Sequence, residues 1–455
     1  MGEKAWMVAE KPRESISLVE DGPNLYREYF PYDCPPKVAF DGVEVPLDLP
    51  EELVITDTTF RDGQQARTPY TAKQIEDLYT YLHRLGGPNG VIRQAEFFLY
   101  SRKDREAVER CQALGYRYPE ITGWIRAVKQ DFALVKEMGL KETGILTSAS
   151  DYHIYLKLGW DRRQAMRNYL EMIEVALEAG VRPRCHIEDV TRADIPGFVL
   201  PFAQEAMRRC EGTGIAVKFR LCDTMGYGVP YPGATLPRSV PRMVHAFVHE
   251  LGMAKENLEW HGHNDFYKVL INGSYAWLYG CASVNGSILG FGERTGNTPI
   301  EALVFEYMGL TGKANGMEPR VITEIADYLK KECAYRIPPM TPFVGSQFNV
   351  TAAGIHADGL IKNEEIYNIF DTGAILNRPL GVLLTDKSGL AGVALWINGH
   401  LGLADDQKID KRHPGVQAIN QWVEQQYAGN RATVISTEEM LEQARVHLPE
   451  YFGEG

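Results

Sequence analysis

The chain has 455 residues, 44% hydrophobic and 24% charged, with a formal net charge of −12. That length exceeds one ordinary domain and suits a large barrel plus a smaller unit, while the acidic balance argues against nucleic acid, whose binders usually carry a basic face. No apolar run approaches the roughly 20 residues of a membrane span, and the N-terminus lacks a signal-peptide core and a myristoylation pattern, so a soluble cytoplasmic protein is expected.

Residues 1 to 50 carry prolines (Pro12, Pro23, Pro31, Pro35, Pro36, Pro46, Pro50) and aromatics (Tyr26, Tyr29, Phe30, Tyr32, Phe40) without a helical period. An extended N-terminal arm, lying on the body or on a partner subunit, is the reading. From residue 53 short apolar strands recur at Leu53–Asp57, Arg93–Leu99, Ile121–Val128, Glu142–Ser148, Arg184–Asp189, Ala216–Asp223, Leu258–Asp265 and Ala282–Leu289. Amphipathic stretches separate them: Thr71–Leu85, Arg102–Leu114, Lys129–Met138, Asp161–Ala179, Pro196–Gly212, Val240–Leu251 and Lys268–Tyr279, with Pro299–Gly309 completing the last unit. Eight such units predict an α/β fold, a (β/α)8 TIM barrel over residues 51–335, better than an open sheet. Val321–Tyr335 reads as one more helix, and the prolines of Ile337–Pro342 as a linker. A small C-terminal α+β domain is expected over 336–455. Seven cysteines without a Cys-x-x-Cys pair suggest free thiols.

In a TIM barrel catalytic side chains sit at the C-terminal ends of the strands. Polar residues fall there: Arg61 and Asp62 after the first strand, Glu96 in the second, Arg126 in the third, Ser148 and His153 after the fourth. His186, Glu188, Asp189 and Arg192 follow in the fifth, Asp223 and Thr224 in the sixth, His261 and His263 in the seventh. On a strand His261 and His263 are spaced i, i+2 and share a face. Two imidazoles plus the Asp62 carboxylate, with positions left open, make a catalytic rather than a structural metal site. Taken alone, the His-x-His pair is more often hydrogen-bonded structure. A cation held there would chelate the carboxylate and ketone of an α-keto acid and polarise the ketone. Arg61 either stabilises the developing alkoxide or merely orients Asp62. Asn297 is a fourth ligand or a partner of the ligands. Glu188, Asp189 and Arg192 either contact substrate or close the barrel as an ion-pair network, and Thr224 is a donor to a carboxylate or a structural hydroxyl.

Five segments, Asp57-Thr-Thr-Phe-Arg-Asp-Gly-Gln-Gln65, His186-Ile-Glu-Asp-Val-Thr-Arg192, Leu221-Cys-Asp-Thr-Met-Gly226, His261-Gly-His-Asn-Asp265 and Gly292-Glu-Arg-Thr-Gly-Asn297, resemble in order the motifs of the DRE-TIM metallolyases. Over residues 53–400 the chain resembles the Claisen-condensing branch, which holds the 2-isopropylmalate, homocitrate, citramalate and Re-type citrate synthases. Gln64, the N-terminal arm and the absence of room for a regulatory domain look most like the last of these. The resemblance implies a divalent cation, Mn2+ first and Mg2+, Co2+ or Zn2+ as alternatives, on Asp62, His261 and His263 with Asn297 nearby. It implies Arg61 at the ketone, with Gln65, Glu188 and Thr224 around the keto acid. An acidic keto acid would suit Arg61, Arg126 and Arg192, so oxaloacetate with acetyl-CoA as co-substrate is expected, and 2-oxoglutarate is the close alternative. Ala353-Gly-Ile-His-Ala-Asp-Gly359 resembles the family's Gly-Ile-His element and makes His356 the base for the acetyl-CoA methyl. Tyr367 in Glu365-Ile-Tyr-Asn-Ile-Phe-Asp371 is its partner. A homodimer with exchanged C-terminal domains is implied as well. The competing class is a carbon-carbon lyase of the hydroxymethylglutaryl-CoA lyase kind, which shares the barrel and metal motif but not the Gly-Ile-His domain.

Overall fold

The computed structural model describes residues 16–65 and 68–452, so the first fifteen residues of the expected arm, Pro12 among them, lie outside the described residues. The chain divides into two compact units, Met1–Glu318 and Pro319–Gly455.

In the first unit eight parallel strands close into a barrel in sequence order. They are β1 (Val54–Asp57), β2 (Ile92–Phe97), β3 (Glu120–Ile125), β4 (Glu142–Ser148), β5 (Arg182–Glu188), β6 (Lys218–Asp223), β7 (Leu258–Gly262) and β8 (Ser283–Gly286). Alternation along each strand sorts the side chains, because neighbouring residues point to opposite faces. One set is apolar and buried: Ile55, Ala95, Ile187, Phe219, Leu221, Trp260 and Val284. The alternate set, Thr56, Gln94, Glu96, Thr122, Arg184, His186, Arg220, Glu259 and His261, is equally buried but polar. Such layers are more often filled by branched aliphatic residues, so this barrel is polar inside.

Helices follow the strands: α1 (Ala72–Gly86), α2 (Arg102–Ala113), α3 (Phe132–Glu137), α4 (Arg162–Glu178), α5 (Leu200–Cys210), α6 (Val240–His245), α7 (Val269–Tyr279) and α8 (Ile300–Thr311). Helix α1 shows why these stretches are helical. Ile75, Leu78, Tyr79, Leu82 and Leu85 recur at three- and four-residue spacing on its buried side, and Thr71 with Gln74 closes a capping box at its start. The expected helices Pro196–Gly212 and Val240–Leu251 are each composite. A wider π turn, Ile195–Val199, leads into α5, and another, Ala246–Glu250, ends α6. The stretch Lys129–Met138 likewise opens as a 3-10 turn before α3.

The described part of the arm runs against the barrel. Val19 N–H donates to Gly197 O at 2.9 Å, Asn24 N–H to Asp151 at 2.6 Å, and Phe40 bridges Ala234. Its backbone polar groups therefore find partners on the unit it wraps.

The second unit begins earlier than the boundary expected at 335, so α9 (Val321–Glu332) counts with it. It continues through β9 (Val350–Thr351), α10 (Gly354–Lys362), α11 (Thr372–Leu376), β10 (Gly381–Val382), α12 (Gly389–Leu401), α13 (Pro414–Ala428) and α14 (Thr437–His447). Strands β9 and β10 form a parallel pair. Val393, Ile397, Val416, Ile419, Val423, Met440 and Ala444 supply the core beneath its last three helices.

Candidate active site

Asp62 opens a 3-10 turn, Asp62–Gln64, just beyond β1; His261 lies in β7, and His263 follows it, bridged to Asn297. One ligand atom from each of Asp62, His261 and His263 lies within 4.8 Å of the others, and all three residues are buried. The Nε2 atoms of the two histidines are 3.3 Å apart, with Asp62 Oδ2 at 3.9 Å from His261 and 3.6 Å from His263. Asp62 presents one oxygen only, because Oδ1 faces Arg61 Nη1 at 3.2 Å.

The protonation states suit a cation. Burial pushes His261 down to about 3 and His263 downward as well, so both rings are neutral. Burial alone would raise Asp62, but the Arg61 guanidinium and the histidines hold it below the usual carboxylate range. Asp62 Oδ2 and Asn297 Oδ1 are buried without a hydrogen-bond partner among the described residues. Such atoms are costly unless something fills the site. The Asn297 amide is oriented by Nδ2, which donates to Phe291 O at 3.0 Å, and Gly292 leaves the room: a Cβ there would meet that nitrogen at 2.5 Å. A carboxylate oxygen, two imidazole nitrogens and an amide oxygen form a donor set that fits a divalent cation.

Arg61 is anchored. Its Nε donates to Glu96 Oε2 at 2.9 Å, and the guanidinium lies 5.6 Å from the Trp124 ring. Glu96 is the centre of the charge network inside the barrel. It also accepts from Arg184 at 2.7 Å and Arg220 at 2.9 Å, and three guanidinium groups with His186 hold it well below its ordinary value against its own burial. Glu259 accepts from Arg220 Nε at 2.8 Å and Nη2 at 3.0 Å, and Glu142 from Arg184 at 3.0 Å. Arg184, Arg220, Glu142 and Glu259 were not among the residues singled out from the sequence. Their signal was the polar alternate positions of β5, β6 and β7, Arg184-Cys-His186, Lys218-Phe-Arg220 and Glu259-Trp-His261, in strands otherwise buried.

The other expected residues are distributed around this cluster. Glu188 is held by Ser148, by His153 Nδ1 at 2.9 Å and by Lys157 at 3.1 Å, which together keep it at about 2 despite burial. Arg192 is committed to Asp189, at 3.0 Å from both carboxylate oxygens, and lies 4.1 Å from the Tyr152 ring. Thr224 Oγ1 accepts from Asp189 N–H at 2.8 Å. Arg126 is paired twice with Asp131 at 3.0 Å, its side chain 62% exposed, so the structure does not join it to the donor cluster. Gln65 is exposed. Gln64 Nε2 donates to Phe60 O at 2.7 Å, a bond an ionised glutamate there could not make.

Some of the non-glycine residues with left-handed backbone follow barrel strands, Asp189 beyond β5, Tyr267 beyond β7, Leu289 and Arg294 beyond β8, while others, such as Tyr26, Asn315 and Asn430, lie away from the donor cluster. Strained backbone of this kind concentrates at functional sites.

In the second unit, described by itself, His356 lies in the first turn of α10 with its ring centroid 4.4 Å from that of Tyr367, the planes inclined by 44°. Gly359 makes this possible, since a Cβ there would sit 2.6 Å from Tyr367 Cε2.

Sequence comparison agrees with this geometry. Residues 52–328 match the HMGL-like family, and the chain belongs to it, within the branch of DRE-TIM metallolyases that carries out Claisen condensations. It is 60% identical over 432 residues to a Citrate (Re)-synthase of Syntrophus aciditrophicus, a match covering 95% of this chain and 69% of that one. It is 51% identical to the Citrate (Re)-synthase of Clostridium kluyveri, with 92% of both chains covered, and 35% identical to a 2-phosphinomethylmalate synthase of Streptomyces hygroscopicus, covering 95% and 97%. Among solved structures, hydroxymethylglutaryl-CoA lyase of Pseudomonas aeruginosa superposes with a TM-score of 0.51 at 19% identity, covering 63% of this chain and 95% of that one, a likeness of fold.

Proposed function

We propose that the protein condenses acetyl-CoA with oxaloacetate and releases citrate and CoA. The observation that carries the substrate choice is the 60% identity, over 95% of this chain, to a Citrate (Re)-synthase. The buried donor cluster and the anchored Arg61 support the reaction class.

Asp62, His261 and His263, with Asn297 as fourth donor, would hold a divalent cation, Mn2+ in our reading, which when bound supplies Lewis acidity at the keto acid's ketone. Arg61 is held through Nε and Nη1, which leaves Nη2 to donate to the ketone oxygen, where charge develops as the new carbon-carbon bond forms. His356, steadied by Tyr367, takes a proton from the acetyl methyl, and the resulting enolate carbon attacks the ketone carbon. Water then cleaves the thioester, giving the free carboxylate and CoA thiol. The Glu188 carboxylate, ionised through its three partners, and the Thr224 hydroxyl orient the bound keto acid. In a homodimer with exchanged C-terminal units, the His356 element of one chain would serve the barrel of the other.

Thiol release from acetyl-CoA tests this with metal-depleted and Mn2+-restored protein, against oxaloacetate, 2-oxoglutarate, 2-oxoisovalerate and pyruvate in parallel. Metal-dependent turnover with oxaloacetate is expected. Preference for 2-oxoglutarate would keep the mechanism and overturn the substrate. Silence with all four, joined to acetyl-CoA formation from a 3-hydroxyacyl-CoA, would make the protein a lyase.

A further inference from the structure

Closure of the barrel brings together two residues that no functional motif contains. Pairing of β1 with β8 sets Thr56 opposite Asn285, and pairing of β7 with β8 sets His261 opposite the same Asn285. His261 Nδ1 lies 2.7 Å from Asn285 Oδ1, Asn285 Nδ2 lies 2.9 Å from Thr56 Oγ1, and Thr56 Oγ1 bonds Glu259 Oε1. Thr56 and Asn285 are both buried.

The polarity of each joint follows from the one before it. Glu259 faces the Arg220 fork with both oxygens and can only accept, so the single hydroxyl hydrogen of Thr56 points to Glu259. With its hydrogen committed, Thr56 can only accept from Asn285, which fixes the amide with Nδ2 towards Thr56. The flipped amide would set two oxygen lone pairs against each other at the 2.9 Å joint. Asn285 therefore offers its oxygen to His261, and His261 must answer with Nδ1–H. Its Nε2 is left as a lone pair facing Asp62 and His263.

We infer that Thr56 and Asn285 are positioning residues that lock His261 in the one neutral tautomer able to ligate a metal through Nε2. They do so as part of one chain of hydrogen bonds and ion pairs. From Glu259 the chain of partners continues through Arg220 and Glu96 to Arg61, and from Arg61 to Asp62. Two of the donor residues, His261 and Asp62, are thus the two ends of one network, and Arg61 is held by it. His263 has no such constraint, because its Nδ1 meets no hydrogen-bond partner among the described residues. The inference rests on the reading of Asp62, His261 and His263 as metal ligands. A partner to the non-ligating ring nitrogen is what orients metal-bound histidines generally, and losing such a partner costs about 10–100-fold in metal affinity.

The test combines Mn2+ titration, followed by the resonance of free Mn2+, with the imidazole 15N spectrum of the metal-depleted protein, His261 being assigned by its loss in His261→Asn. Thr56→Val should weaken Mn2+ binding about 10–100-fold, Thr56→Ser should restore it, and the unmodified protein should show His261 protonated on Nδ1. Thr56→Val that folds and binds Mn2+ like the unmodified chain would overturn the inference. So would His261 protonated on Nε2 in the unmodified chain, a measurement that stands even where Thr56→Val fails to fold. Absence of Mn2+ binding by the unmodified protein, or binding indifferent to Asp62→Asn, would overturn the metal reading instead, and the 15N spectrum would still decide the tautomer.

Discussion

Arg61 and Glu301 show how burial is turned to two different ends. Arg61 is buried, yet every charge near it is matched: Glu96 takes Nε and Asp62 takes Nη1. A lysine has one ammonium and no planar fork, so Arg61→Lys cannot serve both carboxylates and a ketone oxygen at once. The expected result is a fall in kcat of about 100- to 1000-fold with a smaller change in KM, measured by thiol release, as for loss of a donor to a developing oxyanion. Equal loss in binding and turnover would mean that Arg61 only organises Asp62. Glu301, in the first turn of α8, has no cation beside it among the described residues; burial raises it to about 7, although it accepts from Leu289 N–H at 3.1 Å. Its folded value lies above the unfolded one, so the proton it keeps contributes stability fully below about pH 4.5, and that contribution is lost as pH rises through 7. Glu301→Gln should therefore raise stability at pH 8 by about 1–3 kcal/mol and leave it nearly unchanged at pH 4. Thermal midpoints measured across that range check it, and parallel profiles would refute it. Asp57 and Asp223, raised by burial to about 7 and about 6, tilt the profile the same way, so the variant removes only part of the slope.

At the scale of elements, the turn from α10 to Tyr367 is shaped by one missing side chain. Gly359 sits inside α10, where an alanine would favour the helix by roughly 0.5–1 kcal/mol. A Cβ there would strike the Tyr367 ring, 2.6 Å from Cε2. Gly359→Ala should thus leave thermal stability level or higher while displacing Tyr367 from His356 and lowering kcat. Exchange of the acetyl methyl protons of acetyl-CoA with solvent deuterium isolates the proton-transfer step, and unchanged exchange would remove the His356–Tyr367 pair from it. The barrel makes a comparable economy at β4: Gly144 has no side chain because a Cβ would lie 2.5 Å from His186 Nε2 and 2.9 Å from Glu96 Oε1.

For the whole molecule, the proposed homodimer with exchanged C-terminal units would set His356 of one chain at the barrel of the other. An exchanged homodimer makes a definite statement about mixtures, because its two sites are related by symmetry and each draws on both chains. Asp62→Asn and His356→Ala should each be inactive. Dissociated and reassociated together, they should recover roughly a quarter of the unmodified turnover, since half the dimers are mixed and each of those holds one intact site. No recovery from the mixture would place both residues of a working site on one chain. Among the described residues no helix is long and apolar enough to cross a membrane.

The sequence alone determined the barrel and much of its site. Strand and helix periods are local, so all eight strands and the helices between them were legible, with edges shifted by a few residues. The His-x-His spacing and the Arg-Asp pair lie within short segments, and the three donor residues read from them are the ones the fold gathers. What lay beyond reach was whatever depends on which strand neighbours which. Arg184, Arg220, Glu142 and Glu259 look like isolated charges until eight strands close and set them against Glu96 and one another. Thr56 and Asn285 look like ordinary strand residues until β8 pairs with β1 on one side and β7 on the other. Arg126 has a plausible place in the sequence, but it lies near enough to Asp131 for a local pair to take it. Hydrogen-bond polarity around His261 is likewise a property of that chain of partners, since each joint takes its direction from its neighbour, and only the tertiary structure assembles it.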